Sequence, residues 1–413
     1  MSNGTASTAA CPIKVGLENK LMKIERDFCD IEQKAGPPDL EPVSPELVDE
    51  YRKRTYLSYE NYLRDWLLKL DATRSSLWRR NYTNPDAYEQ SVEPMREHFK
   101  EMLGFWSEPN QRQPIEPQDE KLFLETDRAI FSRFRYEIMP SLFTYAIRIV
   151  PKTPAPHPAL LIQHGYLGTP ELACGLATTS NQQEVSYRSF GLRAAQKHGF
   201  HVVAPHHPSG YGTLNDETNE PLPHFKDHDC HYGKNRLHRM CVMGGTTLLG
   251  LDVLASSRAV DLLSANEYVD KERIGMYGLS RGGQVAMYLP ALDRRIKASV
   301  CSAYFSTRMA NLIGPCSRTT FLDWFSEGQI LPDQVKYFAD SDVVSLIAPR
   351  AFAIEAGILD ESVDCNDSKK EFQLARSHYE KLGIVDRITF IPHGEGHVSA
   401  TIKAFEFLKE KLS

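Results

Sequence analysis

Apolar residues recur every three or four positions in the first quarter of the chain, which is the spacing of one face of a helix. This spacing predicts helices over 15–35, from Ser44 to about 70, and over 86–103. Gly36-Pro37-Pro38 ends the first of them, because neither residue type continues a helix well. Ser44 followed by Pro45 is typical of a helix start.

The pattern changes beyond residue 120, where short apolar or alternating runs are separated by helical stretches. Residues 129–138 and 143–150 predict an antiparallel hairpin. Five further strands are predicted over 158–162, 200–204, 273–277, 296–301 and 351–356, and a last one over 388–391. Strands that alternate with helices indicate an α/β fold with a mostly parallel sheet covered on both faces. The hairpin makes the sheet mixed.

These patterns predict a division into domains. Residues 1–13 are small and polar and are expected to be disordered, and 14–106 form a helical N-terminal cap domain. The polar, proline-rich residues 107–120 are interpreted as a linker. Residues 121–413 form the catalytic domain, with an irregular insertion at 304–345. The aromatic residues of the helical part either pack in a core or line a substrate cavity.

One short segment carries the strongest chemical signal. Gly278-Leu279-Ser280-Arg281-Gly282 lies between a predicted strand and a predicted helix. In that setting Gly-x-Ser-x-Gly is typical of a nucleophile elbow, a tight turn that exposes the serine hydroxyl at the carboxyl edge of a sheet. A Cβ at either glycine would collide with the neighbouring strand or helix.

Ser280 needs a base, and the base needs a group that orients it. In this topology both come from loops after later strands, the acid before the histidine. Asp360 is the first carboxylate after the strand 351–356, and His397 follows the last strand. We therefore predict Asp360 as the orienting acid and His397 as the general base. Other carboxylates close to Asp360 are interpreted as solvated loop residues or helix caps: Glu361, Asp364 and Asp367.

An acyl-transfer intermediate also needs fixed N–H donors for its oxyanion. The backbone N–H of Arg281, directly after the nucleophile, is one candidate. The other is the N–H of Tyr166 in the segment His164-Gly165-Tyr166, which follows the strand 158–162. His164 and Tyr211 are expected to border the substrate pocket, since each lies in a loop that follows a strand end.

Residues 205–240, predicted as a long polar loop, hold six of the fourteen histidines. His224, His228 and His231 have a spacing that could ligate zinc. No helical pattern places them on one face, so we favour a polar loop beside the active site and predict no metal and no cofactor.

Composition narrows the class of protein. The net charge of −6 gives no basic surface for nucleic acid or membranes. No run of apolar residues approaches the length of a membrane span, and the first residues lack the pattern of a signal peptide. The eight cysteines are scattered without a C-x-x-C pair, which favours reduced thiols. These features predict a cytoplasmic location.

The motifs around Ser280, Asp360, His397 and Tyr166 resemble those of α/β-hydrolases, in particular dienelactone-hydrolase-like and acetyl-xylan-esterase-like serine hydrolases. The resemblance covers about 125–411 and implies Ser280 as nucleophile, Asp360 as acid and His397 as base. Dienelactone hydrolases proper use cysteine as the nucleophile where this chain has Ser280, so dienelactone itself is not the expected substrate. The expected substrate is a small to medium carboxylic ester or lactone. Relatives with a helical N-terminal cap include a serine-dependent carbon–carbon bond hydrolase.

Three other functions stay open. They are hydrolysis of a carbon–carbon bond beside a ketone with the same triad, metal-dependent hydrolysis through the histidine-rich loop, and ligand binding without catalysis. The expected partner is a small ester, lactone or ketone. The oligomeric state is open, with a homodimer as one option.

Overall fold

The computed structural model describes residues 43–166, 168–176, 186–208, 229–314 and 327–413, with the side chains of 229–232 and 327 left aside. The predicted tail 1–13 and the predicted helix 15–35 lie outside these residues. The chain separates into two compact units, residues 1–63 and 64–413. Only the second unit contains the sheet.

The described helices and strands alternate along most of the chain. In chain order they are α1 Pro45–Arg74, α2 Pro85–Leu103, β1 Gln118–Glu125, β2 Ala129–Met139, β3 Leu142–Pro151, β4 His157–Gln163, α3 Pro170–Ala173, α4 Phe190–His198, β5 His201–Pro205, α5 Asp229–Met243, α6 Leu248–Ala265, β6 Val269–Leu279, α7 Arg281–Leu292, β7 Ile296–Ser302, α8 Arg308–Ile313, α9 Gln334–Tyr337, α10 Asp340–Ser345, β8 Ala351–Gly357, α11 Cys365–Lys381, β9 Ile388–His393 and α12 Ile402–Lys411.

The strands form one nine-stranded sheet in the order β1-β2-β3-β5-β4-β6-β7-β8-β9. Strand β1 pairs with β2, β2 with β3 and β3 with β5, and all three pairs are antiparallel. All pairs from β5 to β9 are parallel. The predicted mixed, mostly parallel α/β sheet is therefore confirmed. Because parallel strands end at the same edge, the loops after β4 to β9 meet there.

Two apolar cores cover the two faces of the parallel part of the sheet. Because successive side chains of a strand point to opposite faces, one strand contributes to both cores. On β6, Met276 lies in one apolar core and Tyr277 in the other, and neither is exposed. Helix α7 packs on the Met276 core and α12 on the Tyr277 core. The second half of strand β6 is thus buried on both faces up to Leu279, the residue before Ser280.

Helix α2 packs into the core of the sheet-containing unit. Asn84 caps its N-terminus, where the Asn84 side chain accepts the N–H of Ala87. Pro85 stands at the first position of the helix. Its apolar face buries Tyr88, Val92, Phe99 and Leu103 in the same core as Met276. The division into a cap domain of 14–106 and a catalytic domain of 121–413 stays a prediction. By packing, α2 is part of the unit that carries the sheet.

The tryptophans of the helical part have different environments. Trp78 is buried, donates from Nε1 to the carbonyl oxygen of Tyr337 at 3.0 Å and meets the ring of Phe338 edge-on. Trp66 is 47% exposed. Of the two interpretations offered above, core packing therefore holds for Trp78.

Two elements differ from the sequence-based prediction. Residues 229–240, predicted as part of a polar loop, belong to helix α5 (Asp229–Met243). The prediction was wrong here because the segment is rich in polar residues on every side and shows little helical periodicity. Strand β1 (Gln118–Glu125) begins inside the predicted linker of 107–120. It was missed because its side chains are all exposed, so burial imposes no alternating pattern.

No single helix among the described residues is long and apolar enough to cross a membrane. One pair, Gly233–Met243 and Leu248–Ala265, meets the length and composition criteria jointly, with a bend of 100° between the two helices. Most of α6 is buried inside the protein.

We expect Phe99→Ala to lower the free energy of unfolding by about 3–5 kcal/mol, because it leaves a cavity in the core. The Phe99 ring is fully buried against the rings of Tyr288 and Phe338, each with a centroid 5.0 Å away. Urea denaturation measures the change. Leu374→Ala on α11 is the control, because Leu374 is 55% exposed and should change stability by no more than about 0.5 kcal/mol. Equal stability of the two variants would contradict the packing of α2.

Candidate active site

Ser280 lies at the tip of a strained turn between β6 and α7. Its φ of 58° and ψ of −121° are unusual for a residue with a side chain, and such a conformation costs about 1–3 kcal/mol. A Cβ on Gly278 would overlap the carbonyl oxygen of Gly282, and one on Gly282 would overlap that of Gln163. The turn thus requires both glycines, for the steric reason predicted from the motif. The N–H of Ser280 donates to the carbonyl oxygen of Ser302 at 2.8 Å, which ties the turn to the end of β7.

His397 and Asp360 are hydrogen-bonded to each other. His397 Nδ1 lies 2.8 Å from Asp360 Oδ2. The other carboxylate oxygen of Asp360 accepts the N–H groups of Ser362 and Val363 at 2.8 and 3.0 Å. Because a carboxylate accepts, His397 Nδ1 carries the proton and Nε2 is the basic nitrogen. The Asp360 side chain is 1% exposed and that of His397 is 30% exposed, so a buried acid orients a histidine that reaches the surface of the site.

The buried carboxylate of Glu355, on β8, connects the turn of Ser280 with the segment that follows His397. Its Oε2 accepts from the hydroxyls of Tyr277 and Ser302 at 2.6 and 2.7 Å. The N–H groups of Ala400 and Thr401 donate to its two oxygens at 3.2 and 3.1 Å. Strands β6 and β7 and the start of α12 therefore share one anchor below the site.

The loop after β4 lies against the Ser280 turn. A Cβ built on Gly165 would stand 3.4 Å from the Cβ of Ser280. The N–H of Gly165 donates to the hydroxyl of Tyr187 at 2.9 Å, and the backbone of Gly168 approaches that hydroxyl so closely that a Cβ there would overlap it. Tyr166, the predicted oxyanion donor, thus belongs to a loop that is anchored next to the nucleophile turn.

Arg281 has separate roles for its backbone and its side chain. Its N–H belongs to the first residue of α7, directly after Ser280. Its guanidinium is fully buried, where it pairs with Asp252 and donates from Nη1 to the carbonyl oxygen of Gly328 at 2.7 Å. The side chain therefore holds α6 and the segment at Gly328 beside the turn.

Three histidines stack at the ends of β4 and β5. The ring centroids of His164 and His207 are 4.0 Å apart, and those of His164 and His206 are 5.2 Å apart. Burial lowers the pKa of His206 to about 4 and that of His164 and His207 well below the usual range. These rings are therefore neutral at neutral pH. Tyr211, predicted to border the pocket together with His164, lies outside the described residues.

Several residues around the site were not identified from the sequence. Lys234 is buried on α5, and its Nζ lies 3.1 Å from His207 Nδ1 and 4.6 Å from the centre of the Tyr166 ring. Tyr187 and Glu355 have no motif around them. Lys234 lies in the segment predicted as a polar loop, where nothing in the sequence indicated that it would be buried.

The three histidines with zinc-like spacing fall mostly outside the described residues. His224 and His228 lie outside the described residues, as does the side chain of His231. In the part of the chain that the structure describes, no group of three or more histidine, cysteine, aspartate or glutamate side chains is arranged to hold a metal ion.

Comparison with known proteins places the chain in a family. The model of the Abhydrolase family matches residues 86–390, so the chain belongs to that family of α/β-hydrolases. A protein of Bacillus subtilis (strain 168) named "Putative hydrolase YtaP" is 26% identical over 272 residues, which are 63% of this chain and 81% of that protein.

Two solved structures have a similar fold. One is described as a "putative acetyl xylan esterase" from Bacteroides fragilis NCTC 9343, with a TM-score of 0.60 and 18% identity, covering 87% of this chain and 84% of that one. The other is the glucuronoyl esterase from Solibacter usitatus, with a TM-score of 0.56 and 12% identity, covering 80% and 94%. The predicted α/β-hydrolase resemblance is confirmed.

We expect Glu355→Gln to lower the free energy of unfolding by about 1–3 kcal/mol, because the amide replaces one acceptor oxygen with a donor that faces other donors. Turnover should fall as well, since the segment 399–401 loses part of its anchor. Urea denaturation and initial rates on an aryl ester measure the two effects. Glu361→Gln, which changes an exposed carboxylate next to Asp360, is the control. Wild-type stability and activity in Glu355→Gln would contradict the anchoring role.

Proposed function

We propose that the protein is a serine esterase in which Ser280 is the nucleophile, His397 the general base and Asp360 the acid that orients His397. The observation that carries the proposal is the hydrogen bond between Asp360 and His397, which leaves Nε2 of His397 as the basic nitrogen at the edge where the strained Ser280 turn lies. A buried acid, a partly exposed histidine and an elbow serine are the parts that acyl transfer requires.

The reaction has two stages. Ser280 Oγ attacks the carbonyl carbon of the ester while its proton passes to His397 Nε2. The tetrahedral intermediate collapses, and His397 gives the proton to the departing alcohol. Water then attacks the acyl-serine with His397 again as base, and the acid is released with Ser280 regenerated. The backbone N–H groups of Tyr166 and Arg281 stabilise the oxyanion in both stages.

We propose a carboxylic ester as the substrate, with a lactone as its cyclic form. Two of the solved structures with a similar fold are named as esterases, and the family membership supports hydrolysis in general. A small acyl group such as acetyl on an aryl or sugar alcohol is the first substrate to test. A set of β-diketones tested beside the esters separates ester cleavage from carbon–carbon bond cleavage, since the same triad serves both.

Ser280→Ala should reduce turnover of p-nitrophenyl acetate by at least about 10⁴-fold, because the acyl-enzyme is proposed to form on the hydroxyl that the variant removes. Labelling by a fluorophosphonate probe should disappear in the same variant. Ser377→Ala is the control, because this hydroxyl is exposed and donates only within α11. Equal esterase activity in Ser280→Ala and wild type would refute the proposed function, and so would turnover of diketones without turnover of esters.

Asp360→Asn should lower kcat by about 10²–10⁴-fold, because the amide favours the wrong tautomer of His397. Asp364→Asn is the matched control, since Asp364 caps α11 and asparagine caps a helix equally well. The comparison also tests the choice of Asp360 over the carboxylates that follow it. A larger loss in Asp364→Asn than in Asp360→Asn would show that the acid was assigned wrongly.

A further inference from the structure

We propose that Lys234, His207 and His164 form a hydrogen-bonded chain that fixes the orientation of the peptide between Gly165 and Tyr166, so that the Tyr166 N–H serves the oxyanion. The three are positioning residues, because they act through the backbone of this loop. The inference rests on the proposed function, since it assigns a role to the donor loop of that same site.

The last link of the chain is a bond from a histidine ring to the backbone. His164 Nδ1 lies 2.9 Å from the carbonyl oxygen of Gly165. Because a carbonyl oxygen only accepts, His164 carries its proton on Nδ1. In a trans peptide the C=O and N–H groups point in opposite directions. Holding the Gly165 carbonyl on the His164 side therefore directs the Tyr166 N–H away from that ring.

The preceding peptide is held from both sides. The carbonyl oxygen of His164 lies 3.0 Å from His207 Nε2, and the N–H of Gly165 donates to the Tyr187 hydroxyl at 2.9 Å. His207 must carry its proton on Nε2 to make the first of these bonds. The backbone N–H of His207 points at His164 Nε2 over 3.4 Å, which agrees with an unprotonated nitrogen there. Two consecutive peptides thus have fixed orientations next to Ser280.

Lys234 completes the chain. Since His207 donates from Nε2, its Nδ1 is an acceptor, and Lys234 Nζ donates to it over 3.1 Å. Lys234 is 2% exposed and makes no ion pair with a carboxylate among the described residues. Burial lowers the pKa of Lys234 well below its usual range, but an amine donates N–H as an ammonium does. The bond to His207 therefore does not depend on the charge of Lys234.

The neighbours of Lys234 tie it to the same part of the site. Its stem packs on Gly328, where a Cβ would stand 3.6 Å from Lys234 Cε, and Arg281 Nη1 donates to the carbonyl oxygen of Gly328. Its Nζ lies over the Tyr166 ring. The lysine thus contacts Tyr166 directly and lies against Gly328, which the side chain of Arg281 holds.

Three variants test the chain. His207→Phe keeps a ring that can stack on His164 but removes both nitrogens. His207→Gln restores an N–H donor near the position of Nε2, and Lys234→Met removes the donor to His207 while keeping the length of the stem. His201→Phe is the matched control, because His201 is equally buried and neither of its ring nitrogens has a hydrogen-bond partner among the described residues.

The readout is kcat and KM on an aryl ester and on its thionoester, in which sulfur replaces the carbonyl oxygen. Sulfur accepts hydrogen bonds weakly, so the ratio of the two rates reports the oxyanion donors and not the general state of the fold. Removing an oxyanion donor outright costs about 10²–10³-fold in kcat, so misorienting one in His207→Phe should cost about 10–10²-fold on the ester. We expect KM to change little and the ester-to-thionoester ratio to fall, with partial recovery in His207→Gln and a smaller fall in Lys234→Met.

The results separate this inference from the proposed function. If Ser280→Ala is inactive but His207→Phe and Lys234→Met keep the wild-type kcat and ratio, the inference is wrong and the serine esterase stands. An equal loss on both esters with an unchanged ratio also overturns it, since it indicates a structural role alone. If Ser280→Ala keeps full esterase activity, the proposed function itself fails. Should His207→Phe not fold, His207→Gln and Lys234→Met decide the question by the same ratio.

Discussion

A carboxylate buried beneath the sheet edge, that of Glu355, receives hydrogen bonds from parts of the chain that are far apart in sequence. It holds the hydroxyl of Ser302 on β7, while the carbonyl of Ser302 accepts the N–H of Ser280. It also holds the backbone at 400–401, three residues beyond His397. The strained turn at Ser280 and the segment that follows His397 therefore rest on one group. A buried charge is stable only when donors surround it, so its partners have little freedom to move.

The site has a second supporting arrangement on the opposite side of Ser280. There the loop after β4 is held by Tyr187 on one side and by the rings of His164 and His207 on the other. Burial keeps these rings neutral, so each can donate from one nitrogen and accept at the other. A charged ring would have two donors and could not take part in such a chain. His164 and His207 thus position the backbone as neutral rings, in a site where His397 is the proposed general base.

Much of the candidate site could be predicted from the sequence, because the α/β-hydrolase topology orders its parts along the chain. Ser280, Asp360 and His397 each follow a strand of the parallel part of the sheet, and parallel strands all end at one edge. The supporting residues could not be predicted in this way. Lys234 lies in a segment without helical periodicity, and the partners of Glu355 are 45 to 78 residues away in the chain. Strand β1 was missed because exposed side chains leave no pattern.

The sequence alone determined the α/β architecture, the strained turn at Ser280 and the order in which Asp360 and His397 follow it. These depend on local features: apolar spacing, the two glycines of the turn and the position of polar residues after strands. Only the tertiary structure decided that Asp360 meets His397, that α2 packs into the core, and that Lys234 and two histidines join beside Tyr166. These contacts are set by which strands become neighbours and by which polar groups must find partners once water is excluded, and neither is written in the spacing of residues along the chain.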